Sequence, residues 1–133
     1  MPKNGDKFTV KIQPAHLNWG THRYTSSRNT IYGEGYIQIP RSVATNFNIL
    51  NSNASDSNNI YICSSADGFL NQVQLKAAGS STAGDIYAKQ FQGNGSLKTI
   101  GAWYQQIQAK ENDLVHILFT SPKNILITHE ASS

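Results

Sequence analysis

The residues best equipped for chemistry cluster early in the chain, in Trp19-Gly20-Thr21-His22-Arg23-Tyr24-Thr25-Ser26-Ser27-Arg28-Asn29. An arginine fork matches the O6 and N7 acceptors of guanine, and an asparagine amide matches N6 and N7 of adenine. Serine and threonine hydroxyls suit phosphates or either base. Lys7, Lys11, Arg23 and Arg28 lie between Asp6 and Glu34, and no acid does. Residue types of this kind, without acids, are suited to contacting duplex DNA. The expected contacts are Trp19, Thr21, His22, Arg23, Tyr24, Thr25, Ser27, Arg28 and Asn29. A solvated polar hairpin has the same composition, and Trp19 equally suits an anchor that holds the segment to the core.

A second acid-poor stretch runs from Asp67 to Glu111, where Asp85 is the only acid, set against Lys76, Lys89 and Lys98. Within it, Gly93-Asn94-Gly95-Ser96-Leu97-Lys98-Thr99 lies between an expected strand and an expected helix. It is not a phosphate-binding P-loop, because Leu97 stands where the motif needs glycine and the spacing fails. A simpler role fits: backbone N–H groups at the helix start, with Lys98, can hold one DNA phosphate. A plain turn and cap fits equally.

Other chemistries find no support. Asp85 and Lys89 do not have the spacing of a nuclease metal site, and no further acid completes one. No G-x-S-x-G elbow occurs. The four histidines, His16, His22, His116 and His129, are scattered without Cys or acid neighbours at ligand spacing. Cys63 is the single cysteine, so neither a disulfide framework nor a structural zinc cluster is expected. It sits in Ile60-Tyr61-Ile62-Cys63 and reads as a buried thiol. The expectation is no catalytic residue, no metal and no cofactor in this chain.

The totals agree with a binding module. A chain of 133 residues reads as one domain over 1–133, large enough for one hydrophobic core. Charged residues make up only 14%, and Asn, Gln, Ser and Thr supply the polarity. The formal net charge is +3 and the pI is near 9.1, which favours an anionic partner. No apolar signal segment and no run of ~18 apolar residues occurs, so the expected location is the cytoplasm, away from membranes.

The elements that must position these residues are short and mostly β. Strands are expected near Phe8–Pro14, Tyr36–Ile39, Ile60–Ser64, Val73–Ala77, Ile86–Phe91, Leu114–Thr120 and Ile125–Thr128. Ser121-Pro122-Lys123-Asn124 should close the last two into a hairpin. Two helices are expected. One starts at Pro40 with Val43, Ala44 and Phe47 on one face. The other covers Ser96–Ala109, with Ser96 as cap and Leu97, Ile100, Trp103, Tyr104 and Ile107 inward. The fold class is mainly β, a seven-stranded open pseudobarrel with two short helices at its ends. Long connections remain at His16–Gly35, Leu50–Asn59 and Ala78–Asp85.

The order of these pieces, with "YIQIPRSVATNF" and "GAWYQQIQAKENDLVHILF", resembles the B3-like DNA-binding pseudobarrel. That family includes plant B3 transcription factors and the recognition or effector domains of bacterial restriction endonucleases of the EcoRII and BfiI type. Asp113 stands where that family often carries Gly-Asp, here preceded by Asn112. The resemblance implies a barrel that grips the major groove with two arms. The first arm matches His16–Gly35 and the second Lys76–Tyr87. It therefore adds Lys76, Ser80, Ser81, Thr82, Asp85 and Tyr87 as expected DNA contacts, with Asp85 accepting from a cytosine amino group. The phrasing sits nearer the restriction branch, which implies sequence-specific double-stranded DNA binding beside a separate nuclease domain or subunit. A transcription factor of the same fold and a carbohydrate-binding β-barrel are the competing expectations, the latter disfavoured by the basic charge.

Overall fold

The computed structural model describes residues 2–13, 16, 35–53, 59–79, 84–96 and 98–132. Seven strands form one sheet: β1 (Lys7–Lys11), β2 (Ile37–Gln38), β3 (Ile60–Ser65), β4 (Val73–Ala78), β5 (Gln90–Gly93), β6 (Leu114–Ser121) and β7 (Asn124–Glu130). Two helices join them, α1 (Arg41–Phe47) between β2 and β3, and α2 (Lys98–Gln106) between β5 and β6. The strand order is β1-β6-β7-β3-β4-β5-β2, and the sheet curls into a nearly closed barrel. All neighbours are antiparallel except β3 and β7. The expected fold class, mainly β with seven strands and two short helices, is what the chain adopts.

Alternation explains the strands. In β1, Phe8 and Val10 point inward while Lys7, Thr9 and Lys11 are exposed. Tyr61 and Cys63 of β3, Leu75 and Ala77 of β4, and Val115, Ile117 and Phe119 of β6 repeat the pattern. The inward set converges on Tyr61, Phe91 and Phe119, whose rings meet edge-on or tilted with centroids 5.3 to 6.5 Å apart. Such geometry suits ring quadrupoles and adds to the area buried. Cys63 is wholly buried, and burial pushes its thiol up to about 12, so it stays protonated.

The helices close the barrel with their apolar faces. Ala44 of α1 is buried, with Val43 and Phe47 packed on the core. Pro40 sits one position earlier than expected, at the N-cap, where its carbonyl accepts from Ala44 N–H at 3.0 Å. Ile100, Trp103 and Tyr104 of α2 are buried. The Ser96 hydroxyl accepts from Lys98 N–H at 3.3 Å, as a cap should. The helix stops at Gln106, short of Ala109, because Gln108 turns left-handed (φ 54°) and Ala109 N–H bonds back to Tyr104 O.

Two strand boundaries differ from the sequence reading. β1 ends at Lys11: Ile12 N–H still reaches Asp113 O, but Asp113 N–H turns to Lys110 O and Ile12 O accepts from Asn112 N–H instead. The expected strand Ile86–Phe91 splits. Only Gln90–Gly93 joins the sheet, while 86–88 runs beside 49–51 through Asn51 N–H to Ile86 O and Ala88 N–H to Ile49 O. The Ser121–Asn124 turn forms as expected, with a bulge between Phe119 and Ser121. Among the described residues, no helix is long and apolar enough to cross a membrane.

Candidate nucleic-acid interface

Most of the residues expected to touch DNA lie outside the described set: Trp19, Thr21, His22, Arg23, Tyr24, Thr25, Ser27, Arg28 and Asn29 in the first arm, and Ser80, Ser81 and Thr82 in the second. The structure describes the residues that bound both expected arms.

The first arm leaves and returns at one buried point. His16 is 3% exposed, and its Nδ1 accepts from Gln13 N–H at 3.0 Å. Its ring meets Tyr36 edge-on with centroids 4.9 Å apart, and its carbonyl accepts from Tyr36 N–H at 3.2 Å. Tyr104 of α2 donates its hydroxyl to Tyr36 O at 2.8 Å, which ties the clasp to the helix. Burial lowers the His16 pKa to about 4, so the ring is neutral near pH 7 and serves as a packed acceptor. Gly35 completes the clasp. A Cβ there would lie 2.9 Å from His16 O and 3.0 Å from the Gly101 Cα, both rigid backbone. Gly35→Val is therefore expected to cost about 1–3 kcal/mol through overpacking and to spread the arm root. Denaturant unfolding reads the first effect, and protease cleavage within 17–34 reads the second. Unchanged stability and unchanged cleavage would refute the clasp.

The second arm is closed by a single amide. Asn51 is 2% exposed, and its Nδ2 donates to Gly79 O (2.9 Å), Asp85 O (2.8 Å) and Tyr87 O (3.3 Å). Its Oδ1 accepts from Asn53 N–H at 2.8 Å, and Asn53 Nδ2 reinforces Asp85 O at 2.9 Å. Both ends of the arm, Gly79 and Asp85, thus hang on one buried side chain. Gly79 has φ +86°, a left-handed backbone that favours glycine, and the Gln90 side chain fills the space of its absent Cβ.

Asp85 takes a different place from the outward acceptor expected. Its side chain is 5% exposed, Oδ2 lies 2.6 Å from the Arg41 guanidinium, and Oδ1 accepts from Tyr87 N–H at 3.0 Å. The carboxylate works inside the chain as a positioning group. Arg41 also lies over the Tyr87 ring, 5.7 Å from its centroid. Tyr87 is thereby held between its bridge to Leu50 and the guanidinium. A groove of about 520 Å³ opens here, with Gln38, Arg41, Tyr87, Lys89 and Gln90 among its lining. Lys76 stands on the outer face of β4 opposite Gln92, and Lys98 is exposed at the first turn of α2. Among the described residues, Asp85 is the acid at this end and is paired with Arg41, beside the cations Lys76 and Lys89.

Sequence reasoning missed Asn51, His16 and Arg41. Asn51 looked like one more residue in an Asn/Ser loop. Arg41 lies 44 residues from its acid, and no local pattern marks the pair. Among the described residues no group of His, Cys, Asp and Glu could hold a metal ion. No protein-family model and no curated protein sequence matches this chain.

Proposed function

We propose that this chain binds double-stranded DNA sequence-specifically through two loop arms, as the target-recognition or effector-binding part of a restriction endonuclease. The observation that carries the reading is the pair of closed arm roots. Residues 17–34 spring from the His16–Tyr36 clasp, and residues 80–83 spring from the Asn51 staple. The two roots flank the short pair β2–β5, and Lys76, Lys89 and Arg41 border it. Loops held so firmly at the base can carry side chains whose placement matters. The basic balance of the chain and its likeness to B3-like pseudobarrels point to the same partner. In this reading the bond-breaking step belongs to a separate nuclease domain or subunit.

The test is selection from a randomised duplex pool, with affinity for the winner titrated across salt. A short enriched motif, bound more weakly as salt rises, is the expected result. Arg23→Ala and Arg28→Ala should each cost about 1–3 kcal/mol on that motif and far less on random duplex. Lys98→Ala should weaken every sequence alike and lower the salt slope by about one. No enrichment, or affinity indifferent to salt, removes the DNA reading.

A further inference from the structure

Between the two arm roots lies a strand face of unusual composition. Gln38 of β2 pairs with Gln90 of β5, and Gln90 pairs with Ala78 of β4. Two residues along, Gln92 pairs with Lys76. Cross-strand partners share a face and strand side chains alternate, so Gln38, Gln90, Gln92 and Lys76 all project from the outer side of the barrel. Their neighbours Ile37, Phe91 and Ala77 are completely buried on the inner side.

Amides are concentrated here. The outward positions of β1 are Lys7, Thr9 and Lys11, and those of β6 include His116, Leu118 and Thr120. Across β2, β4 and β5 the outward positions include Gln38, Gln74, Gln90 and Gln92, with no acid. The amides are also ordered. Gln90 Nε2 donates to Gln92 Oε1 at 3.2 Å, and the other end of Gln90 rests against Gly79 at the second arm root. Gln38 is exposed at the sheet end, and Ala78 leaves the row uncrowded.

From this we infer that the β2–β5 face is a third contact element between the arms, which reads adenine through its glutamines. The inference rests on the DNA reading above and deepens it. A glutamine amide presents the donor and acceptor that adenine N7 and N6 require, and the major groove, ~12 Å wide, admits a two-stranded β-ribbon. Outward residues two apart on a strand are ~6.6 Å apart, which spans about two base steps of ~3.4 Å. Lys76 and Lys89 border the row and suit guanine or the phosphates beside it.

The experiment is duplex-pool selection with the full chain as wild type, Gln38→Ala, Gln38→Glu and Gln92→Ala. Gln38 is exposed, so its replacement leaves the core intact, and circular dichroism checks this. The expected wild-type motif contains adenine at a position that becomes degenerate in Gln38→Ala. The same position should move to cytosine in Gln38→Glu, because a carboxylate accepts from the cytosine amino group. Gln92→Ala should blur a different position, and each alanine variant should bind the wild-type site about tenfold more weakly or worse. An enriched wild-type motif that all three variants retain overturns the inference and leaves the DNA reading standing. Uniform weakening on every sequence does the same, because it marks backbone contact. If the wild type enriches nothing, the DNA reading itself fails, and this inference with it.

Discussion

Replacing Asn51 with alanine is expected to destabilise the chain by about 3–5 kcal/mol and to abolish measurable selectivity for the enriched duplex. One Nδ2 serves the carbonyls of Gly79, Asp85 and Tyr87, and one Oδ1 serves Asn53 N–H. Gly79 O, Tyr87 O and Asn53 N–H would lose this partner at a site that is 2% exposed, while Asp85 O would keep Asn53 Nδ2. An unsatisfied buried polar group costs about 1–3 kcal/mol, and water entering the vacated space recovers part of that. Asn51→Asp separates the two roles of the residue. It retains the acceptor for Asn53 but places a carboxylate against carbonyl oxygens, so it should be no more stable than the alanine variant. Denaturant unfolding gives the energies. Duplex selection under conditions where the variant is still folded gives the selectivity. A folded Asn51→Ala chain with the wild-type motif would show that the second arm needs no staple.

The amide and its carbonyls show what was legible in the chain and what was not. Strands and the closing hairpin could be read because alternation and turn chemistry are local: Phe8 and Val10 face inward whatever pairs with them. The buried face of α2 followed from the spacing of Ile100, Trp103 and Tyr104 in the same way. Long-range polar partnerships leave no such trace. Asp85, a lone acid in a basic stretch, read as an outward acceptor, and Arg41 from a different element turned it inward. Residues 86–88 read as the start of the strand Ile86–Phe91, because the run is β-rich. Their partner proved to be 49–51, and the choice between a sheet neighbour and a loop neighbour is tertiary.

The same distinction bears on the candidate site. Composition singled out the first of the two expected arms, and the resemblance implied the second. The residues that fix the arms, His16, Asn51 and Gly35, are buried or backbone-limited and carry no chemistry that a motif would reveal. The described roots belong to the barrel, and in the proposed reading it is 17–34 and 80–83 that would carry recognition. Two independent clamps also mean that losing one should leave the other arm in place. A double variant should then show additive losses in stability, the behaviour of separated sites.

Lowering the pH should unfold the chain through two hydrogen-bonded carboxylates, chiefly the buried Asp113. Asp113 Oδ1 accepts from Ser132 N–H at 2.8 Å, and Oδ2 accepts from His129 Nε2 at 2.7 Å and Lys110 N–H at 2.9 Å. The Ser132 backbone bond leads in holding this carboxyl far below the usual carboxylate range. Burial opposes it, and His129 and Lys110 outweigh that opposition. Asp67 behaves alike. Burial pushes its carboxyl up, while the Ser65 hydroxyl, Phe69 N–H and the Trp103 indole together bring it below its ordinary value. A folded pKa below the unfolded value of about 4 stabilises the fold fully above that pH, and the contribution is lost as pH falls toward the folded value. The unfolding midpoint in denaturant should accordingly hold steady on this account from pH 7 to about pH 5 and drop below about pH 4. Asp113→Asn turns an amide donor toward N–H groups and cannot carry the charge they hold. It should lose roughly 2–3 kcal/mol at pH 7, the scale of this linkage for one buried carboxylate. Near pH 3 the gap between variant and wild type should narrow, because the wild type is then surrendering the same contribution. An equal gap at both pH values would mean that Asp113 acts by shape alone and that acid unfolding starts elsewhere.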